Sequence, residues 1–83
     1  MDRIIVEVWL PQINQSFDMR IPADATVGQV TEQMKVLFLK MRDVAFVPNE
    51  DTGLCEAGTG SILDSNLLIA EAGIGNGSRL LLI

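Results

Sequence analysis

Gly73-Ile74-Gly75-Asn76-Gly77-Ser78-Arg79-Leu80-Leu81-Leu82-Ile83 closes the chain and pairs a tight-turn signal with an apolar strand. Asn76-Gly77 tolerates the positive φ that tight turns demand. Arg79 to Ile83 then reads as a final strand. Its apolar run suits a central slot in a sheet better than an exposed edge. No glycine pair and no basic extension follows it. A finished body with no handle for covalent attachment is the expectation.

Ile4 to Trp9 is rich in β-branched and aromatic residues and reads as a first strand. Pro11 to Gln15 is a connection. Ser16 to Ile21 alternates polar and apolar with period two, the mark of a strand with one wet face, and Pro22 ends it. The two strands form a hairpin.

Thr26 is a good N-cap, and Gln29 completes a capping box with it. At 100° per residue, Val27, Val30, Met34, Leu37, Phe38 and Met41 fall on one stripe. The spacing predicts a core-facing helix from Val27 to about Met41. Gly28 costs roughly 1 kcal/mol against Ala inside a helix, less near its start. Val36 and Leu39 lie outside the stripe. Cover by the following loop is the favoured reading, and contact with a partner is the other.

Arg42 to Gly53 is expected to be a loop, with Phe46 tucked under it and plain turn chemistry from Pro48 onward. Leu54 to Ala57 is a short strand, Gly58-Thr59-Gly60 turns it, and Ser61 to Leu63 returns. Asp64-Ser65-Asn66 caps a short helical turn from Leu67 to Ala70.

The order is hairpin, helix, short hairpin, short turn and final strand beside the first. It resembles the ubiquitin-like β-grasp, an α+β fold with a mixed four- to five-stranded sheet on one main helix. Thr26-Val27 with Val30, Met34 and Leu37 looks like the ubiquitin helix, and Phe17, Met19 and Ile21 match its inward second-strand positions. Ile69 to Ile74 and Gly77 to Leu82 align with the end of that fold. Within it, the length and the G-I-x-N-G-x-x-L-x-L ending most resemble the YukD/EsaB group, short bacterial ubiquitin-like proteins encoded with type VII secretion systems. The resemblance implies one ubiquitin-like domain over residues 1–83. It also implies an accessory or regulatory role whose partner is a cytosolic domain of the secretion machinery.

Composition bounds the chemistry. At 83 residues and 48% hydrophobic content the chain can build a core, with stability of about 4–12 kcal/mol. A net charge of −5 disfavours nucleic acid and anionic membrane as partners. The short apolar stretch from Ile4 to Leu10 is neither a signal peptide nor a span, so a cytoplasmic protein without direct membrane insertion is expected. The sequons at Asn14 and Asn76 read as chance matches in turns.

The sequence holds no histidine, which removes Ser-His and Cys-His nucleophile systems. The single cysteine, Cys55, has no cation among its immediate neighbours and reads as a half-buried small hydrophobe. Asn49 to Gly53 lacks the spacing of a calcium loop. The Gly73–Gly77 glycines precede a strand and no lysine follows, unlike a phosphate loop. No catalysis, cofactor or metal is expected. Leu82-Ile83 is bulky, whereas ubiquitin and sulfur carriers end in a thin Gly-Gly tail, and no internal Gly-Gly exists. Conjugation is therefore disfavoured.

Binding remains. With Ile4, Val6 and Val8 inward, alternation turns Ile5, Glu7 and Trp9 outward. With Leu80 and Leu82 inward, Arg79, Leu81 and Ile83 face out. Ile5, Trp9, Leu81 and Ile83 are thus expected to form one exposed apolar patch for a protein partner. The competing readings of the patch are scattered apolar residues of no consequence, or cover by the Arg42–Gly53 loop. A homodimer, an orphan ligand-binding module and a carrier activated at its C-terminus are the alternative functions.

Overall fold

In the computed structural model, which describes residues 3–83, the chain forms β1 (Arg3–Leu10), β2 (Gln15–Pro22), α1 (Val27–Lys40), β3 (Leu54–Glu56) and β4 (Arg79–Leu82). The strands make one mixed sheet in the order β2-β1-β4-β3. β1 and β2 pair antiparallel from Arg3↔Pro22 to Leu10↔Gln15. β4 lies parallel to β1, with Glu7↔Arg79, Val8↔Leu80 and Trp9↔Leu81, and antiparallel to β3. The apolar final strand takes the central slot because both its edges are covered.

Alternation sets the core. Val6, Val8, Leu10, Leu80, Leu82 and Leu54 are buried on one sheet face, in one cluster with Val27, Val30, Met34 and Phe38 of α1. Phe38 is the hub: its ring centroid lies 5.3 Å from Phe17 and 6.0 Å from Phe46. Phe17 and Met19 point inward but stay half-buried, because β2 is the edge strand.

α1 begins at a full capping box. The Gln29 N–H donates to Thr26 Oγ1 at 3.1 Å, and the Thr26 N–H donates to Gln29 Oε1 at 2.9 Å. Two more first-turn donors are satisfied from outside the helix. The Val27 N–H donates to the Leu67 carbonyl at 2.8 Å and the Gly28 N–H to the Ser65 carbonyl at 3.0 Å. This docking explains Gly28: a Cβ there would meet Ser65 O at 3.1 Å and Ser65 Cβ at 3.4 Å.

Four expectations are corrected. Leu37 is 43% exposed rather than on the core stripe. Thr31 is buried instead, and its hydroxyl donates to the Val27 carbonyl at 2.7 Å, which makes a polar residue acceptable there. Val36 and Leu39 are exposed, not covered by the loop, since the buried loop residues Val44 and Phe46 join the core cluster. Residues 67–70 form turns, not a helical turn. Leu68 bridges Thr26, and the Ile69 and Ala70 N–H groups donate to the Ala25 and Ala23 carbonyls, so among these residues only the Leu68 carbonyl takes an α-helical bond, from the Ala72 N–H at 2.9 Å. The return from β3 is a single bridge, Cys55↔Ile62, not a strand.

Candidate protein-interaction face

The register places the outward residues in rows across the sheet face opposite α1. One row is Ser16, Trp9, Leu81 and Cys55; the next is Asp18, Glu7 and Arg79; Arg20 and Ile5 follow. Ile5 is 48% and Ile83 53% exposed, while Trp9 and Leu81 are half-buried.

These positions do not form one continuous patch. Trp9 and Leu81 are register neighbours, and Ile83 follows Leu81 on the same face. Glu7 and Arg79 stand between them and Ile5, with Arg79 Nε 3.0 Å from Glu7 Oε1. Ile5 instead neighbours the Asn76-Gly77 turn. Its N–H donates to Asn76 Oδ1 at 2.8 Å, and its carbonyl accepts from the Gly77 N–H at 2.8 Å. Gly77 has φ +82°, the left-handed conformation that Asn-Gly predicts. A shallow depression of about 380 Å³ opens beside the Trp9–Leu81 pair, walled by Ser16, Ala57, Glu7 and Arg79.

The Arg42–Gly53 loop contributes no residue to the walls of this depression. Val44 and Phe46 anchor it in the core, and the Val47 N–H donates to Gln12 Oε1 at 2.8 Å. Near its tip the side chains serve the loop itself: the Asn49 N–H donates to Thr52 Oγ1 and the Asp51 N–H to Asn49 Oδ1, each at 2.8 Å. Among the described residues, no group of three or more His, Cys, Asp or Glu is placed to hold a metal. The far side of Ile83 is bound to the sheet. Its N–H donates to the Gly53 carbonyl at 3.0 Å, and its carbonyl accepts from the Gly53 N–H at 2.7 Å.

Cys55 belongs to the outward row by register, yet it is 1% exposed, more buried than expected. Burial pushes its thiol pKa up, which opposes the reactive thiolate. The Glu7–Arg79 pair was not legible from sequence, although alternation turned both residues outward. Its formation depends on the parallel register of two distant segments. A second apolar surface, outside the expected patch, lies on α1, where Val36 and Leu37 flank a groove of about 410 Å³ edged by Glu32, Gln33 and Lys40.

The fold is that of a ubiquitin-like β-grasp domain. The family description "WXG100 protein secretion system (Wss), protein YukD" matches residues 3–82, and the chain belongs to that family. Among solved structures, the EccD5 ubiquitin-like domain from Mycobacterium xenopi is similar at 21% identity and a TM-score of 0.82, with 100% of this chain and 94% of that chain covered. A Caldiarchaeum subterraneum ubiquitin is similar at 17% identity and a TM-score of 0.76, covering 99% and 92%. A chain of the MycP5-free ESX-5 inner membrane complex is similar at 22% identity and a TM-score of 0.78, covering 98% of this chain and 20% of that one. No curated protein matches the chain.

Proposed function

We propose that this chain is a single, non-enzymatic ubiquitin-like domain that serves as an accessory or regulatory component of a bacterial type VII secretion system. It acts in the cytoplasm by binding a cytosolic domain of the machinery. Membership of the YukD family carries this reading. The similar domain inside a larger chain of the ESX-5 complex supports it, because it suggests a docking module that works beside or within the channel protein. No helix among the described residues is long and apolar enough to cross a membrane.

The contact surface proposed is Trp9, Leu81 and Ile83, with Ile5 as a separate contact beyond the Glu7–Arg79 pair. A Trp among aliphatic neighbours, with a depression at its side, has the composition of a binding hot spot. Conjugation is not part of the proposal. Residue 83 is held in the sheet by Gly53 at both backbone groups, where a tail threading an activating enzyme would need to be free.

Calorimetry against the cytosolic domain of the cognate channel protein tests the reading. Trp9→Ala and Leu81→Asp are expected to weaken binding at least tenfold while circular dichroism stays native. Native-like variants that bind as tightly as the parent would refute the surface. Incubation with ATP and a cognate activating enzyme tests the rival carrier function, and a covalent adduct at Ile83 would establish it.

A further inference from the structure

The open edge of the sheet on the β2 side has an assignable polarity. The Glu7 N–H donates to the Ser78 carbonyl at 2.9 Å, and the Ile5 carbonyl accepts from the Gly77 N–H. The odd residues of β1 therefore turn their backbone groups toward β4. Alternation along a ladder gives Ile4, Val6 and Val8 to β2, where they face Ile21, Met19 and Phe17. Ser16, Asp18 and Arg20 consequently turn their N–H and C=O groups away from β1, to the free edge. Pro22 offers a carbonyl alone. Such an edge is a template for another strand.

The charges on this edge are unbalanced within one chain. Asp18 stands directly across from Glu7, a like-charge pair, and among the described residues Arg79 pairs with Glu7 alone. Among the described residues neither Asp18 nor Arg20 has an ion-pair partner.

We propose that β2 pairs antiparallel with β2 of a second copy of this chain, about a two-fold axis at Met19. Only registers that set outward-facing residues against one another can form the ladder. An axis at Asp18 opposes two aspartates, and an axis at Arg20 opposes two arginines. An axis at Phe17 pairs Ser16 with Asp18 and leaves Arg20 opposite Asn14, outside the strand. The Met19 axis sets Asp18 opposite Arg20 of the second copy, twice. Each such pair exchanges both backbone hydrogen bonds, and each Arg20 supplies the cation that Asp18 lacks. On the inner face, Met19 meets its copy and Phe17 meets the already buried Ile21, so pairing covers the half-buried surface of Phe17 and Met19. One strand edge is a small interface, below about 1,200 Å², so the dimer exchanges and depends on concentration.

Sedimentation of the full chain across a micromolar to millimolar series tests the proposal. The wild-type chain should self-associate. Asp18→Arg and Arg20→Asp each oppose like charges twice and should weaken association about tenfold or more. An equimolar mixture of the two variants should associate again, since the heterodimer restores every opposite pair. Amide exchange adds the location: the N–H groups of Asp18 and Arg20 should gain protection with concentration, while those of Phe17 and Met19 stay protected throughout. If the charge variants misfold, Met19→Cys serves instead. A central pair without ladder bonds has Cα atoms about 4.5 Å apart, within disulfide range, so mild oxidation should link Met19→Cys into a dimer and leave Ser16→Cys unlinked. A wild-type chain that stays monomeric at every concentration would overturn the proposal, as would a variant mixture that does not associate. A dimer whose edge amides exchange freely would overturn it too, because the contact would then lie elsewhere.

Discussion

The Arg79 guanidinium lies 3.0 Å from the Glu7 carboxylate, its direct neighbour in the parallel register, and so divides the outer sheet face. Ile5 stands on one side with the Asn76-Gly77 turn. Trp9, Leu81 and Ile83 stand on the other. Arg79 is largely exposed, so the pair contributes little to stability. Glu7→Gln is expected to cost about 0.2–1 kcal/mol in urea unfolding, and less in high salt.

The two apolar populations of the outer and inner faces should respond differently to truncation. Leu80→Ala removes a fully buried side chain and should cost about 2–5 kcal/mol. Ile83→Ala, at an exposed position, should cost well under half as much. Chemical denaturation of both variants checks the ordering, and a larger loss at Ile83 would place it in the core.

Gly28 should resist the usual gain from replacing a helical glycine. Helix propensity alone favours Gly28→Ala by up to about 1 kcal/mol. The new Cβ would meet the Ser65 carbonyl at 3.1 Å, at the site where the Gly28 N–H bonds it. Gly28→Ala is therefore expected to be neutral or destabilising. A raised melting temperature would mean that the 65–67 segment yields readily.

On α1, Val36→Asp should leave stability within about 0.5 kcal/mol, because Val36 is 51% exposed. Phe38→Ala should cost about 3–5 kcal/mol through the loss of the ring that contacts both Phe17 and Phe46. Thermal unfolding of the pair shows which face of the helix carries the fold.

Cys55 should be inert in the folded chain. Burial raises its pKa above the unfolded value, so the folded state favours the neutral thiol. That contribution is complete below the ordinary thiol pKa of about 8.5 and is lost as pH rises through the folded value. The wild-type chain should therefore lose stability in the alkaline range more steeply than Cys55→Ala. Alkylation by iodoacetamide should be slow in buffer and fast in urea. Rapid native labelling would contradict the burial.

The elements and their faces were legible in the sequence for a physical reason. Ile4, Val6 and Val8 against Ile5, Glu7 and Trp9 is a period-two pattern, and Thr26 with Gln29 is a capping box, so each is decided by residues a few positions apart. The helix was misread where the stripe has an edge. Leu37 sits at its margin, and Thr31 could be buried because a carbonyl one turn back accepts its hydroxyl. The turns at 67–70 were misread for a related reason: backbone partners of Leu67, Ile69 and Ala70 are Val27, Ala25 and Ala23, far away in sequence.

Along β1, β2 and β4, period-two alternation was enough to assign inward and outward faces, and with the Thr26–Gln29 capping box it pointed to the ubiquitin-like fold. How the outward residues are grouped came from the pairing of distant strands. Periodicity assigns a side chain to a face, but it carries no information on the register between β1 and β4, which packing sets across some seventy residues of chain. That register put Arg79 beside Glu7 and Leu81 beside Trp9, and it turned one expected patch into a cluster and a separate Ile5.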